Sequence, residues 1–159
     1  ITPAREEKFY EQTKKLINEL HKAANAAIVG IDNIKNEIET EKLKSLIKKQ
    51  NKYYEEFIKD IKKIAANYEI EPDDISIFMK ANSFMVSKME TMMDGSDEKI
   101  AEIMINGTKM GINQMDELIH EFEDANPQLL SYAKKFKENL EEFLNSLREF
   151  VWLDFLIQL

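Results

Sequence analysis

Apolar and small residues return at steps of three and four along most of the chain, the period of amphipathic helices. One stripe runs through Phe9, Leu16, Leu20, Ala24, Ala27, Ile31, Ile34 and Ile38. Thr2 is placed to cap this helix, and Pro3 suits its first turn. A second stripe follows at once, with Leu43, Leu46, Gln50, Tyr54, Phe57, Ile61, Ile64 and Tyr68. Gln50 is polar within it; a partly exposed position is the first expectation and a register-fixing contact the second. Glu71-Pro72-Asp73-Asp74 marks a restart, and a third helix carries Ile75, Phe78, Met85, Met89 and Met92 to a stop at Asp94-Gly95. Ser96 caps a fourth, with Asp97 and Glu98 in its first turn, predicted to run to about Asp124. Asn126-Pro127 opens a fifth, with Leu129, Ala133, Phe136, Leu140, Phe143, Leu147 and Phe150 on one face.

The pattern predicts an all-α protein, an antiparallel helical bundle of about five helices. Short connections make neighbours antiparallel, and the third helix is long enough to serve as the crossover of a four-helix bundle. Residues 1–150 form a single bundle domain in this reading, and residues 151–159 an apolar C-terminal extension. Composition agrees: four glycines and three prolines among 159 residues leave few helix breakers.

Charge narrows the partners. The net charge is −8, and Arg5 and Arg148 are the only arginines, so the surface repels phosphate backbones and nucleic acid is not expected. There is no cysteine, hence neither a disulfide nor a thiolate site. No apolar run approaches the roughly 18 residues of a membrane span, and no signal segment is evident, so the expected location is the cytoplasm. Neither a Gly-rich phosphate loop nor a convergent Ser/His/Asp set is present.

Three features carry the candidate chemistry. Gly107 and Gly111 fall on the predicted core face of the fourth helix, where each costs about 1 kcal/mol relative to alanine. Ala23, Ala24, Ala27 and Gly30 form a matching patch on the first helix. Close packing of the two helices is expected there, with a ligand cavity as the rival. The methionines are expected to fill the core, with a surface for a partner helix as second choice. The end, "FVWLDFLIQL", has eight apolar residues in ten. Trp152, Phe155, Leu156 and Leu159 are expected to meet another subunit or a protein partner, with peripheral membrane anchoring as a third reading.

Residues 87–115, "SKMETMMDGSDEKIAEIMINGTKMGINQM", resemble a family of small uncharacterised bacterial ferritin-like proteins. The matching residues are Ile100, Ala101, Glu102, Met104, Ile105, Gly107, Met110 and Gly111. "ELHKAANAAIVGID" fits the family's first helix loosely, and the resemblance extends over roughly residues 14 to 145. It implies a ferritin-like fold and no particular activity. Lys99 stands where the family pattern would place a histidine, which removes a possible ligand.

A ferritin-like di-iron site needs a Glu from each of two helices and a Glu-x-x-His from each of the other two. "DELIHEF" holds one such pair, Glu117 and His120. The other histidine, His21, has Asn18 three residues before it and cannot complete a second. At about 100° per residue, Glu102, Asn106, Lys109, Asn113, Asp116, Glu117 and His120 all fall opposite the apolar face. His21, on the flank of its stripe, is expected to be partly buried or exposed. The leading expectation is a non-catalytic binding or assembly protein without a cofactor, forming a homo-oligomer or engaging a protein partner through its apolar end. The alternative is a metal-binding protein or oxidoreductase with a non-standard iron or manganese site, drawn from Glu19, Glu55, Glu56, Glu102, Glu117 and His120.

Overall fold

A computed structural model describes residues 2–73 and 95–159. They form four long helices: α1 (Pro3–Ile34), α2 (Glu41–Asn67), α3 (Asp97–Glu121) and α4 (Pro127–Gln158). The helix expected around Met85, Met89 and Met92 lies outside the described residues.

Local chemistry sets the helix starts. The Thr2 hydroxyl accepts from the Arg5 amide, Ser96 from that of Lys99, and the Asn126 side chain from those of Gln128 and Leu129. Each satisfies an amide that a helix start leaves without an internal partner. The first helix ends earlier than its stripe predicts: after Ile34 the chain makes a 3-10 turn, Lys35–Glu37, and Ile38 is extended yet buried. At the end of α2, Glu69 takes φ 56°, so that its amide and that of Ile70 reach back to the carbonyls of Ala66 and Ala65. This is a Schellman closure without its usual glycine, and the buried Ile70 holds it.

Hydrogen bonds between the ends fix the topology. At one end, Asp124 N donates to Gln12 Oε1 and Asn126 N to Thr13 Oγ1, each at 3.0 Å, and the Asn126 amide donates to the Tyr68 hydroxyl. Asp73 N, donating to Asn18 Oδ1, belongs to the same half. At the other end the Asp97 carboxylate accepts from Glu39 N at 3.0 Å and Thr40 N at 2.7 Å. So α1–α2 and α3–α4 are two antiparallel hairpins, while α2 and α3 run in the same direction. Such an order has a single long connection, the arrangement of ferritin-like bundles.

The core runs the length of the bundle, from Leu16, Leu20, Leu43 and Ile61 on one hairpin to Ile100, Met115, Leu129 and Leu147 on the other. Aromatic side chains gather between α2 and α4, where the Phe57 and Phe136 ring centroids are 4.6 Å apart and Tyr53, Tyr54 and Tyr132 surround them. Gln50 is buried there, only 5% exposed, and its amide donates to Asn139 Oδ1 of α4 at 2.7 Å. The expectation that Gln50 is partly exposed is thereby corrected: a partner 89 residues away compensates its burial.

Candidate functional site

The small residues of α1 and α3 border one space. Among the described residues, Ala23, Ala27 and Gly30 of α1 face Gly107, Thr108 and Gly111 of α3 across a cavity of about 400 Å³. Tyr54 of α2 and Phe136, Leu140 and Phe143 of α4 close its remaining walls. Ala24, expected in the same patch, is instead wholly buried in the core. Gly111 has a packing reason, but on α4: a β-carbon there would stand 3.1 Å from Leu140 Cδ1. The short side chains border a volume between α1 and α3.

Among the described residues no charged side chain lines that cavity. Its polar side chains are Thr108, whose hydroxyl donates to the Met104 carbonyl at 2.7 Å, Tyr54 and Gln114. Burial pushes the Tyr54 phenol well above its ordinary range, against a smaller opposing effect from its hydrogen bond with Gln50, so it stays neutral. Gln114, half-buried, makes no hydrogen bond to another side chain among the described residues. Met110, 61% exposed, stands at the rim. Sequence reasoning found the glycines and alanines here. It missed Tyr54, Thr108 and Gln114; for Gln114 the i, i+4, i+7 spacing of Gly107, Gly111 and Gln114 was the available signal.

The candidate metal ligands lie elsewhere. Glu102, Glu117 and His120 are exposed on the outer face of α3, with Asn106, Lys109, Asn113 and Asp116 beside them. Glu55 and Glu56 are exposed on α2, and Glu19 is half-buried on α1 with Lys22 at 3.8 Å. Glu102 has Lys99 at 3.6 Å. No group of three or more His, Asp or Glu among the described residues is placed to hold a metal ion. In this fold a bundle-core metal needs inward carboxylates from facing helices; the cavity at that depth presents glycine, alanine and threonine.

His21 corrects an expectation. It is 3% exposed, and Asn25 Nδ2 lies 3.2 Å from its Nε2 while donating to its carbonyl at 2.8 Å. An amide donor facing Nε2 makes that nitrogen the acceptor, which puts the proton on Nδ1, a buried atom without a hydrogen-bond partner. Burial lowers the imidazole pKa, Lys62 lowers it further, and Asp73 opposes. The ring is a neutral core residue.

The apolar end continues α4 without a break at Phe150, which is still buried. Beyond it Trp152, Phe155, Leu156 and Leu159 are exposed, with the Trp152 and Phe155 rings stacked 6.1 Å apart. Ile157, which the stripe placed on the core side, is 82% exposed because the bundle it would pack against has ended.

Comparison with curated proteins finds no match. Among solved structures the chain is similar to Dps92 from Deinococcus radiodurans, with a TM-score of 0.72 and 11% identity over 89% of this chain and 86% of that one. At that identity the likeness establishes the fold. The domain of unknown function DUF2383 matches residues 12–121, from the first turns of α1 to the end of α3. The chain therefore belongs to the DUF2383 family and has the ferritin-like four-helix-bundle fold.

Proposed function

We propose that this chain is a non-catalytic assembly protein, a ferritin-like bundle that joins a second copy of itself through the exposed end of α4. One observation carries the reading: Trp152, Phe155, Leu156, Ile157 and Leu159 stand in solvent on a helix whose preceding turns are core. A cluster of large apolar side chains is favourable when covered and a liability when bare. A helix already formed in the free chain loses less conformational freedom on association than a segment that must first fold. The proposed setting is the cytoplasm; no helix among the described residues is long and apolar enough to cross a membrane. Light scattering on the size-fractionated chain tests this. The expected result is a defined oligomer that becomes a monomer in the variant Trp152→Glu/Phe155→Glu, with its thermal unfolding otherwise kept. A monomer at tens of micromolar for the unmodified chain, or an oligomer indifferent to both substitutions, would overturn it.

A further inference from the structure

We infer that the space between α1 and α3 is a binding site for a neutral, mostly apolar small molecule bearing one hydrogen-bonding group. The site does not depend on assembly through α4.

Size and the number of helices around the space argue first. A volume of about 400 Å³ lies in the range of ligand pockets. An apolar cavity of roughly 150 Å³ already takes up benzene, so this one has room for a two- or three-ring molecule or a comparable chain. All four helices contribute walls, from Ala27 of α1 and Tyr54 of α2 to Gly107 of α3 and Phe143 of α4. The space is partly open to solvent, with Met110 exposed at its edge.

The lining then sets the chemistry. No Asp, Glu, Lys, Arg or His borders the cavity among the described residues, so an ion would enter without a counter-charge, which is strongly unfavourable. A metal finds no ligand set there either. Apolar walls reward an apolar body. Of the polar side chains, Thr108 already spends its proton on Met104, and Tyr54 bonds with Gln50. Gln114 keeps both amide donors and its carbonyl available for a hydroxyl, carbonyl or amide on the ligand. Met110 at the rim offers a flexible apolar contact at the point of entry.

Fluorescence titration with N-phenyl-1-naphthylamine, a neutral three-ring probe, tests the site on the full chain. Saturable binding of one probe per chain is expected. Binding should persist in Trp152→Glu/Phe155→Glu, which separates the cavity from the apolar helix end. Ala27→Leu from one wall and Gly107→Leu from the other should each weaken binding at least tenfold without lowering the thermal midpoint, since both residues border the cavity. Gln114→Leu should weaken 2-naphthol, which carries a hydroxyl, more than it weakens naphthalene, which has no hydrogen-bonding group. No saturable binding, loss of binding in the α4 variant, or full binding in a folded Ala27→Leu or Gly107→Leu chain would each overturn the inference. A fall of the midpoint in both filling variants would do the same, because it would mean that the chain itself occupies the space.

Discussion

Two interfaces of the same bundle are built on opposite principles. Between α2 and α4, Tyr53, Tyr54, Phe57, Tyr132 and Phe136 interleave, and the Gln50–Asn139 bond sits beside them. Between α1 and α3, glycines and alanines face one another across about 400 Å³. The aromatic side holds the two hairpins in register; given that scaffold, the small-residue side need not be filled. Tyr54 and Phe136 belong to both, but on the binding inference drawn above the aromatic side serves stability and the small-residue side binding, so substitutions at Phe57 and at Ala27 should behave oppositely.

The largest effect is expected on the filled side. Phe57→Ala deletes a ring that is 3% exposed and touches three other rings, and should cost about 3–5 kcal/mol in chemical denaturation. Ala27→Leu, on the open side, should move stability by about 1 kcal/mol or less, because the added atoms enter existing space. Equal losses for the two would abolish the distinction. Next in size is Gln50→Leu, which leaves the Asn139 carbonyl and the Tyr54 hydroxyl each short of a partner, at a cost of about 1–3 kcal/mol. The double variant Gln50→Leu/Asn139→Leu should recover much of that loss, since it removes an acceptor that the single change strands. A double-mutant cycle with no coupling would show that the bond contributes nothing to register.

Much of this was legible along the chain, and the parts that were not share a cause. Thr2-Pro3, Ser96-Asp97 and Asn126-Pro127 announce helix starts because capping is local chemistry within four residues. The outward phase of Glu117 and His120 follows from a fixed angle per residue. Gln50 and His21 were harder, because burial of a polar group depends on its partner. Asn139 is remote in sequence, and Asn25, one turn from His21, is also an ordinary surface residue type. The cavity is the extreme case. Gly107 and Ala27 say only that side chains are small; the volume they border is also lined by large residues remote in sequence, Leu140 and Phe143 of α4 among them.

His21 sharpens the comparison from the polar side, since it has neither the aromatic cluster's partners nor the cavity's free volume. Its folded pKa lies below the ordinary 6.5, through burial first and Lys62 second. The unfolded chain therefore binds the proton more readily. The stabilisation is complete above pH 6.5 and is lost as pH falls below it, until the folded-state ring also titrates. Protonation would also turn Nε2 into a donor facing the Asn25 amide, itself a donor. Between pH 7.5 and 5.5 the thermal midpoint should drop in the parent chain and stay nearly level in His21→Leu. Parallel profiles would show that another group carries the dependence.

The smallest effect belongs to the bundle's end. Asp97 begins α3, and its carboxylate holds the amides of Glu39 and Thr40 in the turn after α1. Burial works against that charge, but bonds from Thr40 and Glu39 and the nearby Lys44 together outweigh it, so its pKa lies below the usual 3.8. For a depressed carboxyl the stabilisation is present above 3.8 and disappears as pH falls through the lower folded value. Asp97→Asn keeps the shape, exchanges one acceptor oxygen for a donor, and removes the charge. At neutral pH it should cost about 1 kcal/mol, discounted for exposure from the usual worth of a charge-assisted bond. The difference from the parent should shrink once both are measured near pH 3. The same clasp ties the α1–α2 turn to α3, so hydrogen exchange at the Glu39 and Thr40 amides should accelerate in the variant, while the Phe57 region stays as protected as before. Acceleration that reached the aromatic cluster would mean that the two interfaces open as one unit, and the division drawn between them would fail.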